Sequence, residues 1–220
     1  MKYRFTNRTG GTSSGAFASL NLGTHVSDDL TAVLANRAVI AEEIGPTQYM
    51  SQVHGNRVAI IEAVTDEDPT ADALVSGIPG INLAVQVADC IPLLMHSPEA
   101  IAAVHVGRKG LINGVALAAI EVMRQMGAKH ISAVIGPAIC GTCYEVSPEV
   151  HDEVIALHPL AHSTTNKGTP ALDLVNALTV VLEEQGVEVF NETRCTVENS
   201  DLFSYRRDGV TGRQAGIISL

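Results

Sequence analysis

Residues 82–107, NLAVQVADCIPLLMHSPEAIAAVHVG, constrain the fold more than any other part of the chain. Asn82–Val87, Ile91–Met95 and Ile101–Val106 are apolar runs of strand length, the last following a short SPEA turn. Runs this continuous mark strands covered on both faces, deep in a sheet. Yet Asp89, Cys90 and His105, which resist burial, sit among them. A charge taken out of water needs a partner, and a thiolate or imidazole so placed often has a metal ion for one. The plainer alternative is a core cysteine beside a hydrogen-bonded core histidine, and local pattern alone leans that way.

The rest of the composition narrows the class. With 220 residues, 46% of them hydrophobic, and no low-complexity tract, the chain has ample length for a core. No repeat or linker divides it, so we expect one domain over 1–220. A formal net charge of -10 argues against a non-specific nucleic-acid binder, which needs a basic face. It leaves room for a small anion held by a few local arginines. Met1–Gly11 has no apolar core of the secretory type, and no apolar run reaches the ~18 residues of a membrane span. Four cysteines are too few for a disulfide scaffold of this length, so free thiols and a cytoplasmic location are expected.

In chain order, Arg4–Arg8 reads as an edge strand entering the loop NRTGGTSSGAFASLNLG. Its glycines suit a ligand-cradling loop, although the composition equally fits a surface loop. It is not a Walker A loop, because Ala16 stands where lysine is required. Asp28 or Asp29 can cap a helix to Ile44 that turns Leu30, Val33, Leu34, Ile40 and Ile44 to one side, with Gly45 as its stop. Val58–Ile61 is a strand with His54-Gly55 in a turn at its mouth, and an acidic, solvated connection runs from Glu62 to Ala71. Helical spacing continues over Lys109–Met126, and Ile131–Ile135 is a strand. Ser147-Pro148 starts a helix that ends before Pro159. Leu160–Ala171 is polar enough for a mobile loop. A helix near Leu172–Gln185, a strand at Val187–Phe190 and a final strand at Gln214–Leu220 complete the chain. The absence of a regular β-α-β beat points to an α/β fold with mixed β-sheets sandwiched by helices, not a Rossmann domain.

Adding His54 turns the reading of Cys90 and His105 towards a metal. All three lie in or beside the expected sheet, and Cys and neutral His are favoured zinc ligands. Their separations match no compact finger pattern, but rigid catalytic metals are often held from separate strands. Asp89, next to Cys90, is expected to orient another group rather than share the ion.

The motifs VHG, ADC before an apolar strand, AVHVGRKG, GPAICGTCYEV and FSYRRDG occur in this order. Together they resemble the YfiH/laccase-domain family of polyphenol oxidases and purine nucleoside phosphorylases, from FTNRTGG and ASLNLG to the last strand. The resemblance implies a single layered α/β domain and a catalytic zinc on His54, Cys90 and His105. It also implies phosphorolysis of adenosine, inosine and methylthioadenosine, with adenosine deamination. Copper-dependent phenol oxidation and peptidoglycan-precursor editing are linked to the same family. The family's usual HAGWRG is here His105-Val106-Gly107-Arg108-Lys109-Gly110, a change that bears on substrate preference rather than on the metal.

Phosphorolysis also requires a dianion site, which guanidinium groups and backbone N–H groups supply. Arg8, Arg108, Arg206 and Arg207 are the candidates. Cys140-Gly141-Thr142-Cys143 invites a redox reading, but without a thioredoxin-like surround we read the loop as shaping the pocket. Tyr144 would pack on a base and Glu145 carry a proton, while Asn21 and Gln52 would hydrogen-bond sugar or base. Cys195 reads as core, and His96 is a competing ligand. The rival readings are a structural zinc site closed by Cys140 or Cys143, a metal-free hydrolase with a Cys90 nucleophile, a precursor-editing amidase and, least favoured, a copper oxidase. The oligomeric state, monomer or homodimer, is left open.

Overall fold

The computed structural model describes residues 2–220. Twelve strands and six α-helices follow one another as β1 (Lys2–Phe5), α1 (Leu30–Ile44), β2 (Thr47–Gln48), β3 (Val58–Ile60), β4 (Ala73–Ser76), β5 (Asn82–Val87), β6 (Ile91–His96), β7 (Ile101–Val106), α2 (Arg108–Asn113), α3 (Val115–Gln125), β8 (Ser132–Ile135), α4 (Pro148–Leu157), β9 (His162–Thr164), β10 (Pro170–Leu172), α5 (Leu174–Glu184), β11 (Glu188–Asn191), α6 (Tyr205–Asp208) and β12 (Gln214–Ser219). A four-stranded sheet has the order β1-β12-β5-β2 and a six-stranded sheet the order β11-β8-β6-β7-β4-β3. Both mix parallel and antiparallel pairs, so the fold is the mixed α/β class expected.

Side-chain alternation explains the layering. On β7, Ala102, Val104 and Val106 face a cluster with Leu111, Ala119, Ile120 and Leu178 of the helices. Ile101 and Ala103 face the other way, towards Leu83, Val85 and Val87 of β5. On the far side of β5, Ala84 joins Ala215 and Ile217 of β12 against Ile40 of α1. The order is therefore helices, six-stranded sheet, four-stranded sheet, helix. Strands β5 and β7 are buried along their whole length because both of their faces are covered. His105 shares the face of Ile101 and Ala103 and so stands at the end of the layer between the sheets.

Several elements differ from expectation. The 109–126 helix is two helices, because Gly114 takes a left-handed conformation (φ 71°) between α2 and α3. On α1 the buried residues are Val33, Asn36 and Ile40, while Leu30 and Leu34 are exposed. Asn36 faces inward because its amide anchors the glycine loop, accepting from Thr12 N and donating to Ser13 Oγ, Ser19 O and Asn21 O. Residues 160–171 are not a free loop: β9 and β10 pair there as a hairpin. The first strand ends at Phe5 rather than Arg8.

Candidate metal centre

His54, Cys90 and His105 come together at the open end of the layer between the sheets. One ligand atom from each lies within 4.8 Å of the other two, and no fourth His, Cys or carboxylate joins them among the described residues. Cys90 Sγ is 3.9 Å from His54 Nε2, and the two imidazole rings stand edge to face at 4.7 Å. In tetrahedral zinc sites the bond lengths imply a sulfur–nitrogen separation of roughly 3.5 Å, so these atoms need only close slightly. A Cβ on Gly107 would sit 2.9 Å from Cys90 Sγ and 3.3 Å from His54 Cδ2, so glycine leaves this space to the thiol and the imidazole.

Asp72 organises the trio, and sequence reasoning missed it. Its carboxylate has no exposed surface and accepts from Val53 N, His54 N, Gly55 N and His105 Nδ1, at 3.2, 2.9, 2.7 and 2.8 Å. The three backbone bonds hold His54 at a φ of 59°, a left-handed conformation uncommon outside glycine. The fourth fixes the His105 proton on Nδ1, which leaves Nε2 free to coordinate. The thiol and imidazoles fit a borderline-soft cation such as zinc: sulfur and nitrogen donors converge, and a buried carboxylate orients one of them.

Charge within the site is already polarised. Burial opposes ionisation of Cys90, but the imidazoles of His105 and His54 outweigh it and bring the thiol down to about 6. Burial likewise opposes a charge on His105, yet Cys90 and Asp72 raise it to about 9. Burial pushes the Asp72 carboxyl up, and His105 with the Gly55 N–H reverses this to a net lowering.

Asp89 turns away from the trio. Its φ of 93° lies in the bend between β5 and β6, so backbone conformation rather than strand alternation separates it from Cys90. The carboxylate accepts from Thr196 Oγ1 (2.5 Å), Ser204 Oγ (2.7 Å) and Arg206 N (2.6 Å), tying the C-terminal loops to the site.

A cavity of about 370 Å³ opens over the trio. Gln52, Arg108, Tyr144 and Arg206 line it, together with His25, Tyr205 and Arg213, which sequence reasoning did not single out. The Gln52 amide is paired to β5 through Gln86 N and O. Arg108 pairs with Glu153 at 3.2 Å. Arg206 lies over the Tyr144 ring at 5.3 Å and donates to Glu145 O. Burial lowers the pKa of His25, and the positive charges of Arg213 and Arg37 add to this.

The remaining candidates are not among the residues that line this cavity. Arg8 donates to Ala18 O and stacks on Phe203. Asn21 is fully buried and bonds Gly23, Asp28 and Arg213. The Glu145 side chain is exposed. Arg207 spends its guanidinium on the carbonyls of Thr196, Val197, Asn199 and Leu202 and on Asp208. Cys140 belongs to a separate group with Cys143, Cys195 and Glu198, so neither Cys140 nor Cys143 closes the first site. His96 ends β6, roughly 17 Å of strand from its start beside Cys90.

A family model described as multi-copper polyphenol oxidoreductase laccase matches residues 2–220. The chain belongs to this laccase-domain family. A purine nucleoside phosphorylase of Streptomyces coelicolor is 44% identical, over 99% of this chain and 95% of its own length. One from Corynebacterium glutamicum is also 44% identical, over 98% of this chain and 93% of its own. The crystal structure of a Neisseria meningitidis protein superposes on this laccase-domain chain with a TM-score of 0.90 at 37% identity, covering 99% and 93% of the two chains. That of the Bacillus licheniformis hypothetical protein YfiH gives 0.88 at 32%, covering 98% and 91%.

Proposed function

We propose that the chain, acting as one domain, is a zinc-dependent purine nucleoside phosphorylase. It would convert adenosine, inosine or methylthioadenosine and phosphate to base and ribose 1-phosphate, with adenosine deamination as a second activity of the same site. The observation that carries this reading is the convergence of one sulfur and two imidazoles, oriented by Asp72, beneath a cavity walled by an aromatic ring and arginines. The names of the Streptomyces and Corynebacterium relatives support it.

When bound, zinc would supply a Lewis acid with an open fourth position. Asp72 keeps His54 and His105 in ligating orientation. Tyr144 offers its ring to a purine, and burial raises the pKa of its phenol, which therefore stays protonated as a donor. Arg206, Arg108 and Arg213 bring guanidinium groups to the cavity for phosphate. In the reaction a phosphate oxygen bonds to the ribose C1′ as the bond from C1′ to the base breaks. The electron pair leaves with the base, which takes up a proton. Arg108 stands where the family's motif carries Trp, so one more cation faces the substrate.

Zinc is preferred to copper because one three-ligand group serves a single ion, whereas oxidase chemistry with oxygen normally uses several centres. Four free cysteines suit a cytoplasmic location. Among the described residues no helix is long and apolar enough to cross a membrane. The decisive assay is base release from a nucleoside panel, with and without phosphate, before and after chelation. Activity should require phosphate, vanish with the metal and return with zinc rather than copper. Full turnover by His105→Ala, folded but metal-free, sinks the proposal.

A second reading rests on the paired charges of Cys90 and His105, the arrangement of a metal-free cysteine nucleophile. It predicts turnover that survives chelation and is lost on alkylation of Cys90.

A further inference from the structure

Cys140, Cys143, Cys195 and Glu198 form a second group whose ligand atoms all lie within 4.8 Å of one another. We propose that these four residues hold a structural divalent zinc, distinct from the ion on His54, Cys90 and His105. The inference stands whether or not the first site is catalytic.

Local backbone makes this a built site rather than a chance meeting of thiols. The first two cysteines bracket a tight turn: Cys143 N and Tyr144 N both donate to Cys140 O at 3.1 Å. A C-x-x-C turn of this kind presents two sulfurs to one side, the spacing of a zinc half-site. The third comes from a loop locked alongside by a bridge between Ala138 and Cys195, with Ala138 N donating to Arg194 O and Thr196 N to Ala138 O. Asn199 Nδ2 grips Cys195 O at 2.8 Å and closes the turn that carries Glu198. Cys143 Sγ already lies 3.7 Å from Glu198 Oε1, near the roughly 3.5 Å between neighbouring ligands in a tetrahedral zinc site.

Three sulfurs and one carboxylate fill a tetrahedral zinc site and leave no position for water, which is the mark of a structural ion. Binding releases one proton from each of the three thiols. The ion would fasten two loops to each other, one of which builds part of the wall of the main cavity. One loop carries Ile139 and Tyr144, which line that cavity, and Ile139 N donates to Asp89 O at 3.0 Å. The other carries Thr196, whose hydroxyl donates to Asp89. The second metal would thus brace the residue that precedes Cys90.

The test uses full-length Cys90→Ser, which removes the only sulfur of the first site and so assigns any remaining thiolate ligation to the second. Purified reduced and without chelator, it should retain one zinc per chain that is not held by His54 and His105. Replacing that metal by cobalt should give a thiolate-to-cobalt charge-transfer band with tetrahedral visible bands. Adding Cys143→Ser or Cys195→Ser should weaken the charge-transfer band and release the metal to a competing chelator. Adding Glu198→Gln should keep that band but shift the visible bands. If Cys195→Ser fails to fold, Cys143→Ser and Glu198→Gln carry the comparison. Absence of zinc together with absence of a charge-transfer band on cobalt titration overturns the proposal. So does an unreduced Cys90→Ser protein in which two of the three thiols are joined as a disulfide and no metal is bound.

Discussion

A carboxylate with no exposed surface is costly unless its lone pairs are used, and Asp72 accepts from four N–H donors. Those bonds fix the backbone of His54 and the tautomer of His105. Asp72→Asn would turn an amide N–H2 towards donors and surrender both effects. We expect metal affinity to fall by about 10–100-fold, measured by competition with a chelator. Affinity equal to wild type would mean that Asp72 only fills space. Cys90 provides a second check at the same scale. With its thiol brought down to about 6, metal-stripped protein should hold Cys90 as thiolate at neutral pH and protonate it as pH falls through that value. Alkylation followed on the Cys90 peptide should therefore be level across neutral pH and halve near pH 6, whereas a free thiol's rate climbs towards a pKa of ~8.5. A rate still rising through neutral pH would show that the imidazoles do not polarise this sulfur.

At the level of elements, the junction between β7 and α2 sets the depth of the site. Gly107 has an extended, negative φ of -89°, which alanine adopts without strain, so its smallness serves the neighbouring sulfur and imidazole. Gly107→Ala should lower metal content and turnover while leaving the unfolding midpoint close to wild type, measured by metal analysis beside urea denaturation. Normal metal content would show that the ligands can yield to the methyl. The same junction shows what sequence pattern conveys and what it hides. Apolar residues recur at helical spacing from Leu111 to Met126, and that periodicity carries no trace of the left-handed Gly114 that divides α2 from α3. On α1, Leu30 and Leu34 look like the inward face, but the inward position goes to Asn36, whose value lies in hydrogen bonds to a loop distant in sequence. Arg206 and Arg207 look like one anion-binding pair. The turn that begins α6 sends Arg206 to the cavity and Arg207 to loop carbonyls. Arg206→Ala should raise the KM for phosphate with little change in stability. Arg207→Ala should instead lower the unfolding midpoint and leave the phosphate KM near wild type. Equal effects on KM would restore the pair as a unit.

At the scale of the whole molecule, the scaffold was the legible part. Strands β5, β6 and β7 could be read because covering both faces of a strand demands an unbroken apolar run. Asp72 could not, since it follows an acidic, solvated connection and looks like one more surface acid. The available signal was the short apolar run ALVS just after it, which is β4. The layered arrangement also separates stability from chemistry, and Leu94 tests that separation. It lies in the middle of β6, has no exposed surface, and packs between the two sheets with Leu83, Val85 and Ile101. Four residues of strand, roughly 13 Å, part it from Cys90. Leu94→Ala should destabilise the fold by about 2–5 kcal/mol, because a close-packed layer between sheets collapses poorly into a cavity. Urea denaturation reads that loss. Metal stoichiometry and turnover per folded molecule should stay at wild-type values, since Asp72, Gly107 and the bend at Asp89 position His54, Cys90 and His105 without help from Leu94. Loss of metal in a variant that is still folded would mean that the inter-sheet packing itself positions the trio.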